Sequence, residues 1–135
     1  MPAFSKRSLD ELATVHPDLQ RLFKRVVLGF DCAILKDGGK RTPERQRELV
    51  LAGKSKTYNS KHLTGRAVDV APYPVKWDMS DPHNVKRWYA FCGYVRGIAE
   101  AVGIHVRGGH DWDRDWQFTD QTFHDLPHWE LLDGP

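Results

Sequence analysis

The residues of this 135-residue chain best equipped for chemistry lie in two short stretches, one at mid-chain and one near the C-terminus. Ser60 to Asp69 reads Ser-Lys-His-Leu-Thr-Gly-Arg-Ala-Val-Asp and places His62 seven residues before Asp69. Asp69 is the one polar residue in the apolar run from Ala67 to Ala71. Burying a carboxylate is costly unless something positive meets it. A metal ion is one such partner; a capped strand end or a buried hydrogen bond would also serve. The second stretch is Phe123-His-Asp-Leu-Pro-His-Trp-Glu130. On a strand, His128 and Glu130 share one face, and Trp129 and Leu131 share the other. Trp129 and Leu131 suit a core, so His128 and Glu130 face a cleft.

A catalytic zinc site asks for three protein ligands and one open position. His62, Asp69 and His128 offer two imidazoles and a carboxylate. Hydrolysis at such an ion still needs a general base. Asp125 is the first candidate by position. Glu130 is the second, or it orients a ligand histidine through a hydrogen bond. His110 and His124 are the rival ligands. Asp111, Asp113 and Asp115 begin like a calcium loop, so a second cation is considered there. However, Trp116 stands where the loop glycine belongs and Thr122 where the closing glutamate belongs.

These residues need elements to hold them. Ser8 and Glu11 have the spacing of a capping box, with Leu9, Leu12 and Val15 as an apolar stripe. Pro17 opens a second helix, in which Leu19, Leu22, Phe23, Val26 and Val27 recur with helical period. Gly29 ends it. Residues 30 to 35 read as a short strand. Thr42-Pro43-Glu44 opens a third helix, with Leu49, Val50 and Leu51 as its buried residues and Gly53 as its stop. Residues 54 to 61 are polar and read as an exposed loop. Residues 66 to 71 form a strand stopped by Pro72 and Pro74. Asp81-Pro82 caps a long helix over about residues 83 to 102, with Val85, Trp88, Tyr89, Cys92, Val95, Ile98, Ala99 and Val102 on its apolar face. Short strands follow at residues 104 to 107 and 126 to 132. Between them, residues 108 to 122 form a loop in which Trp112 and Trp116 are candidates to line a substrate groove. Helices first and scattered short strands predict an α+β fold with a mostly antiparallel sheet.

The length fits one domain, 1–135, with room for a core and none for a separate wall-binding domain. The formal charge of +2 permits attraction to anionic polymers, but basic residues are mixed with acids rather than gathered into a nucleic-acid-binding patch. No apolar run approaches the roughly 18 residues of a membrane span, and the N-terminus lacks the apolar core of a signal peptide. Cys32 and Cys92 form no C-x-x-C pair and read as buried thiols.

Ser60-x-His62-x-x-Gly65-x-Ala67-x-Asp69, followed by Asp125-x-x-His128-x-Glu130, resembles the zinc D-Ala-D-Ala carboxypeptidase and L-alanyl-D-glutamate endopeptidase family, in its phage-endolysin branch. Lys40-Arg41-Thr42-Pro43-Glu44-Arg45-Gln46 resembles the Arg-Ser/Thr-x-Glu-x-Gln segment that precedes the first zinc ligand in that family. Residues 104 to 113 resemble its Gly-Gly-Asp-Trp loop, here with His110 interposed. The resemblance covers about residues 10 to 132. It implies one Zn2+ on His62, Asp69 and His128, Asp125 as catalytic base, and Arg41 polarising the scissile carbonyl or stabilising the oxyanion. The family base is often Glu; Asp125 is the endolysin-like variant. Ser60 is expected to fix the loop or His62, and Glu130 and Trp112 to support a ligand or contact substrate.

The implied fold is the hedgehog/DD-peptidase fold. The implied function is hydrolysis of an amide in the peptidoglycan stem peptide, foremost the L-alanyl-D-glutamate bond, during host-cell lysis. A monomer made in the host cytoplasm would reach the wall after a holin permeabilises the membrane. The alternatives are a D-alanyl-D-alanine carboxypeptidase or dipeptidase, and a zinc-bearing wall-binding module without turnover.

Overall fold

A computed structural model describes residues 2–121 and 124–132. Helix α1 spans Lys6–Leu12 and α2 spans Pro17–Gly29, followed by strand β1, Cys32–Ile34. Helix α3, Pro43–Leu51, precedes a 3-10 turn over Lys61–Thr64 and strand β2, Ala67–Pro72. The long helix α4, Pro82–Val102, leads to β3, Val106–Gly109, and β4, Asp125–Leu131. The strands form one sheet in the order β1-β2-β4-β3, and every pairing is antiparallel. Asp69 and His128, two of the candidate ligands, therefore lie on the two central strands. Thr122 lies outside the described residues.

Alternation along β2 and β4 divides the sheet into two faces. Val68, Val70, Trp129 and Leu131 join the core with Leu19, Leu22, Phe23 and Val26 of α2 and Phe91, Cys92, Val95 and Ala99 of α4. Trp129 is fully buried and meets Phe23 edge-on, with ring centroids 6.4 Å apart. The opposite face of the same strands carries Asp69, His128 and Glu130. Cys32 and Cys92 are free, buried thiols, and burial pushes both up to about 12. No helix among the described residues is long and apolar enough to cross a membrane.

Local sequence signals explain the starts of the helices. Thr42 and Asp81 accept hydrogen bonds from the amides of Arg45 and His83, and a proline occupies the first turn of α2, α3 and α4. The capping-box reading of Ser8 and Glu11 is wrong. Ser5 caps α1, while Ser8 Oγ accepts from Ile34 N and Glu11 accepts from Gly39 N and Asp37 N. The pair joins the helix to the β1 region instead of closing its own first turn. Leu51 is 75% exposed, not buried, because it ends α3 on the side away from Leu49. Strand β4 begins at Asp125, one residue before the expected start, and its pairing with β3 shifts register between Gly108 and Gly109.

Candidate metal centre and substrate cleft

Cross-strand register brings the candidate ligands together. Asp69 of β2 lies directly opposite His128 of β4, and Ala67 lies opposite Glu130. Directly opposed residues project to the same face, with Cβ atoms about 5 Å apart. His62 arrives from the 3-10 turn that precedes β2. Ser60 caps this turn by accepting from His62 N, and Gly65 ends it in the left-handed region at φ 73°. The residues between the ligands thus form one tight turn that delivers His62 beside Asp69.

The side chains converge on one oxygen. His62 Nε2 lies 3.2 Å and His128 Nδ1 lies 3.4 Å from Asp69 Oδ1. This buried oxygen has no hydrogen bond of normal geometry. Four bonds of about 2.0–2.1 Å in a tetrahedron put neighbouring ligand atoms about 3.3 Å apart. The spacing therefore fits zinc, and the orphaned oxygen supplies the donor that such an ion needs. The other ring nitrogens are engaged behind the ligand atoms. His62 Nδ1 donates to Gly39 O at 2.9 Å, and His128 Nε2 donates to Glu130 Oε1 at 2.8 Å. Each partner fixes the tautomer that aims the remaining nitrogen at the common point.

Electrostatics reinforce this arrangement. Burial opposes ionisation of Asp69, but the close approach of the His128 and His62 rings outweighs it and holds the carboxyl well below its ordinary range. Burial also opposes a charged His128, yet Asp69 and Glu130 push it up to about 9. Burial works against Glu130 as well, and His128, Arg107 and Lys61 together bring it down to about 2. Arg107 Nε donates to Glu130 Oε2 at 3.0 Å. Asp125 is shifted upward, first by burial and then by the charge of Asp69, against the opposing pull of His128, His62 and Arg41.

A cavity of about 320 Å³ opens onto these groups, lined by His62, Asp69 and His128 together with Arg41, Trp112 and Asp125. Ser60 and Glu130 line it too. The Trp112 ring lies 5.5 Å from that of His128. Arg41 is anchored on three sides: Nε to Asp37 O, Nη1 to Gln46 Oε1, and Nη2 to Asp69 Oδ2 at 3.0 Å. The turn before α3 also grips both ligand segments through its backbone. Asp69 N donates to Gly38 O, and Arg41 N donates to His62 O. A Cβ on Gly38 would come within 2.6 Å of Leu35 O and 2.9 Å of Asp69 O, so only glycine permits this approach.

Other sequence candidates lie elsewhere. His110 is buried against Trp129 and Phe118, on the core side of β4, with both ring nitrogens unpartnered. His124 is exposed and engages Gln121. Trp116 does not line the cleft. It stacks under Arg96, 3.3 Å from ring centroid to guanidinium carbon, at a separate cavity. Asp111, Asp113 and Asp115 do place carboxylate oxygens within 4.8 Å of one another. Asp111, however, already accepts from Arg96 Nη1 and Trp116 N, each at 2.7 Å. Sequence reasoning passed over Gln46 and Arg107 as site residues. Gln46 stood in the quoted motif without a role, and Arg107 reaches Glu130 only because β3 pairs with β4 in the register Arg107↔Glu130.

The comparisons with known proteins agree with this geometry. Residues 2–132 match the family described as phage L-alanyl-D-glutamate peptidase. The chain is 32% identical to the L-alanyl-D-glutamate peptidase of Escherichia phage T5, over 96% of this chain and 97% of that protein. The crystal structure of the Serratia marcescens L-Ala D-Glu endopeptidase ChiX superposes with a TM-score of 0.75 at 33% identity, covering 97% of this chain and 91% of that one. The chain belongs to the phage L-alanyl-D-glutamate peptidase family.

Proposed function

We propose that this protein hydrolyses the L-alanyl-D-glutamate amide of the peptidoglycan stem peptide, with one zinc ion held by His62 Nε2, Asp69 Oδ1 and His128 Nδ1. The observation that carries the reading is the convergence of both imidazoles on Asp69 Oδ1 at 3.2 and 3.4 Å, beside a cavity that also holds a carboxylic acid. When bound, zinc supplies a Lewis acid that polarises a carbonyl and makes water acidic near neutral pH. Asp125 takes the proton of the attacking water and passes it to the leaving amine. Its upward shift suits both halves of that transfer, because an acid tuned toward neutrality can accept and return a proton. Arg41 holds the second oxygen of Asp69 and sets a fixed positive charge beside the reacting carbonyl. Glu130 keeps His128 aimed and basic. Trp112 walls the cleft beside His128, and Ser60 fixes the turn that carries His62.

Residues from the segments flanking α3, the 3-10 turn, β2, the loop after β3 and β4 all contribute to the cleft, which supports a single catalytic domain acting as a monomer on the wall. Release from the host cytoplasm through a holin-permeabilised membrane is the matching biology. The Asp111, Asp113 and Asp115 cluster is suited to a hard cation such as calcium. Arg96 already neutralises Asp111, so we assign an ion there no step in the reaction. A D-alanyl-D-alanine carboxypeptidase would use the same metal chemistry, and product analysis separates the two: new D-glutamyl amino termini support the endopeptidase, whereas free D-alanine supports the carboxypeptidase.

A further inference from the structure

We propose that Arg107 is a positioning residue for the metal ligand His128, acting through both Glu130 and Trp112. This rests on the zinc reading above. A histidine ligand binds its ion well only while the ring is held at one angle, because rotation about its side-chain bonds carries the nitrogen away from the ion. His128 has two neighbours that can hold its ring, and one guanidinium touches both.

Strand pairing puts Arg107 within reach. Val106 of β3 joins the core, so by alternation Arg107 projects to the opposite face, the one that carries Asp69, His128 and Glu130. Arg107 lies directly opposite Glu130 in the register of β3 and β4. Its Nε donates to Glu130 Oε2 at 3.0 Å, while Glu130 Oε1 accepts from His128 Nε2 at 2.8 Å. The carboxylate is thereby held at both oxygens. The His128 ring also packs against Trp112, with centroids 5.5 Å apart. The Arg107 guanidinium carbon lies 5.6 Å from the centroid of that same tryptophan, and its Nη1 reaches Trp112 O at 3.5 Å.

Lys61 is the other cation beside Glu130, and it is placed differently. Its Nζ donates to Leu131 O at 2.6 Å and stands 3.5 Å from Glu130 Oε2. A mobile ammonium at that distance adds charge, whereas a planar guanidinium in hydrogen-bond contact also fixes direction. Trp112 is tied to β3 as well: its N donates to Gln121 Oε1, and Gln121 Nε2 donates to Gly109 O, each at 3.0 Å. Both supports of His128 thus hang on the strand that carries Arg107. That strand lies at the edge of the sheet and the Arg107 side chain is 38% exposed, so replacing it leaves the core closed.

The test measures zinc affinity of the full-length protein by competition with a chromogenic chelator, with thermal melting of each variant read alongside. Arg107→Met is expected to weaken zinc binding by about tenfold. In a Glu130→Gln background the same change is expected to cost about threefold or less, because the charged carboxylate it held is gone and only the Trp112 contact remains. Lys61→Met is expected to cost less than Arg107→Met. Arg107→Thr, which suits a strand, is the second variant should the methionine protein fail to fold, with the same loss and the same coupling expected. Unchanged affinity on replacing Arg107, an equal loss with and without the Glu130 carboxylate, or a greater loss from Lys61→Met overturns the inference and leaves the zinc reading standing. A wild type that binds no zinc overturns that reading, and this inference with it.

Discussion

Asp69 and His128 face one another across the two central strands, with Oδ1 and Nδ1 3.4 Å apart. The sheet itself makes this pair, because opposed residues of antiparallel strands share a face. Only His62 has to be delivered by a turn. The centre is therefore tied to strand pairing, and anything that shifts β2 against β4 by one residue would turn a ligand into the core.

Glu130 aims His128, so Glu130→Gln should weaken zinc affinity by about 10–100-fold while the fold is retained. Metal competition against a chromogenic chelator measures this. Unchanged affinity would show that the 2.8 Å contact between them does not orient the ligand.

Asp125→Asn should lower kcat by roughly 10²–10⁴-fold, the usual range for a general acid–base group, with one zinc per chain still bound. Metal content and turnover are measured on the same sample. Loss of metal together with activity would instead assign Asp125 to the ligand set.

Arg41 meets three acceptors through a planar guanidinium, which an ammonium cannot copy. Arg41→Lys keeps the charge but should still reduce kcat/KM by about tenfold or more. Full activity in this variant would mean that charge alone matters at the position.

His110 should make the protein acid-sensitive. Burial, followed by the charge of Arg96, brings its pKa down to about 4, against the opposing effect of Asp111. A depressed value means that the unfolded chain binds a proton that the folded chain refuses. The stability present above pH 6.5 is therefore lost as pH falls from 6.5 through about 4. At pH 5 the loss is about 2 kcal/mol, from roughly 1.5 pH units at 1.36 kcal/mol each. Denaturant titrations of the wild type and His110→Leu at pH 7.5 and 5 should show the variant gaining relative stability in acid. A difference that is the same at both pH values would contradict this.

Removing the metal should expose the same proton competition at the centre. His128 without an ion is pushed up to about 9, so zinc must displace a proton from it, and apparent affinity should climb as pH rises toward that value. Calorimetric titration in buffers of different ionisation enthalpy counts the protons released.

Much of this was legible in the sequence, for identifiable reasons. The starts of α2, α3 and α4 carry local caps and prolines, which act within one turn. The face shared by His128 and Glu130 follows from alternation alone. Local pattern misled where distant contacts decided. Ser8 and Glu11 have capping-box spacing but serve Ile34 and Gly39, which only the packed fold brings near. Trp116 lies in the right loop, yet Arg96 of α4 draws it to another cavity. The roles of Gln46 and Arg107 depend on a helix-to-loop approach and a strand register that no short motif encodes.

The most direct test of the central claim combines zinc content with product analysis on purified peptidoglycan, with and without chelator. The account predicts one zinc per chain and new D-glutamyl amino termini that disappear on chelation and return with zinc. Release of free D-alanine, or cleavage indifferent to chelator, would contradict it.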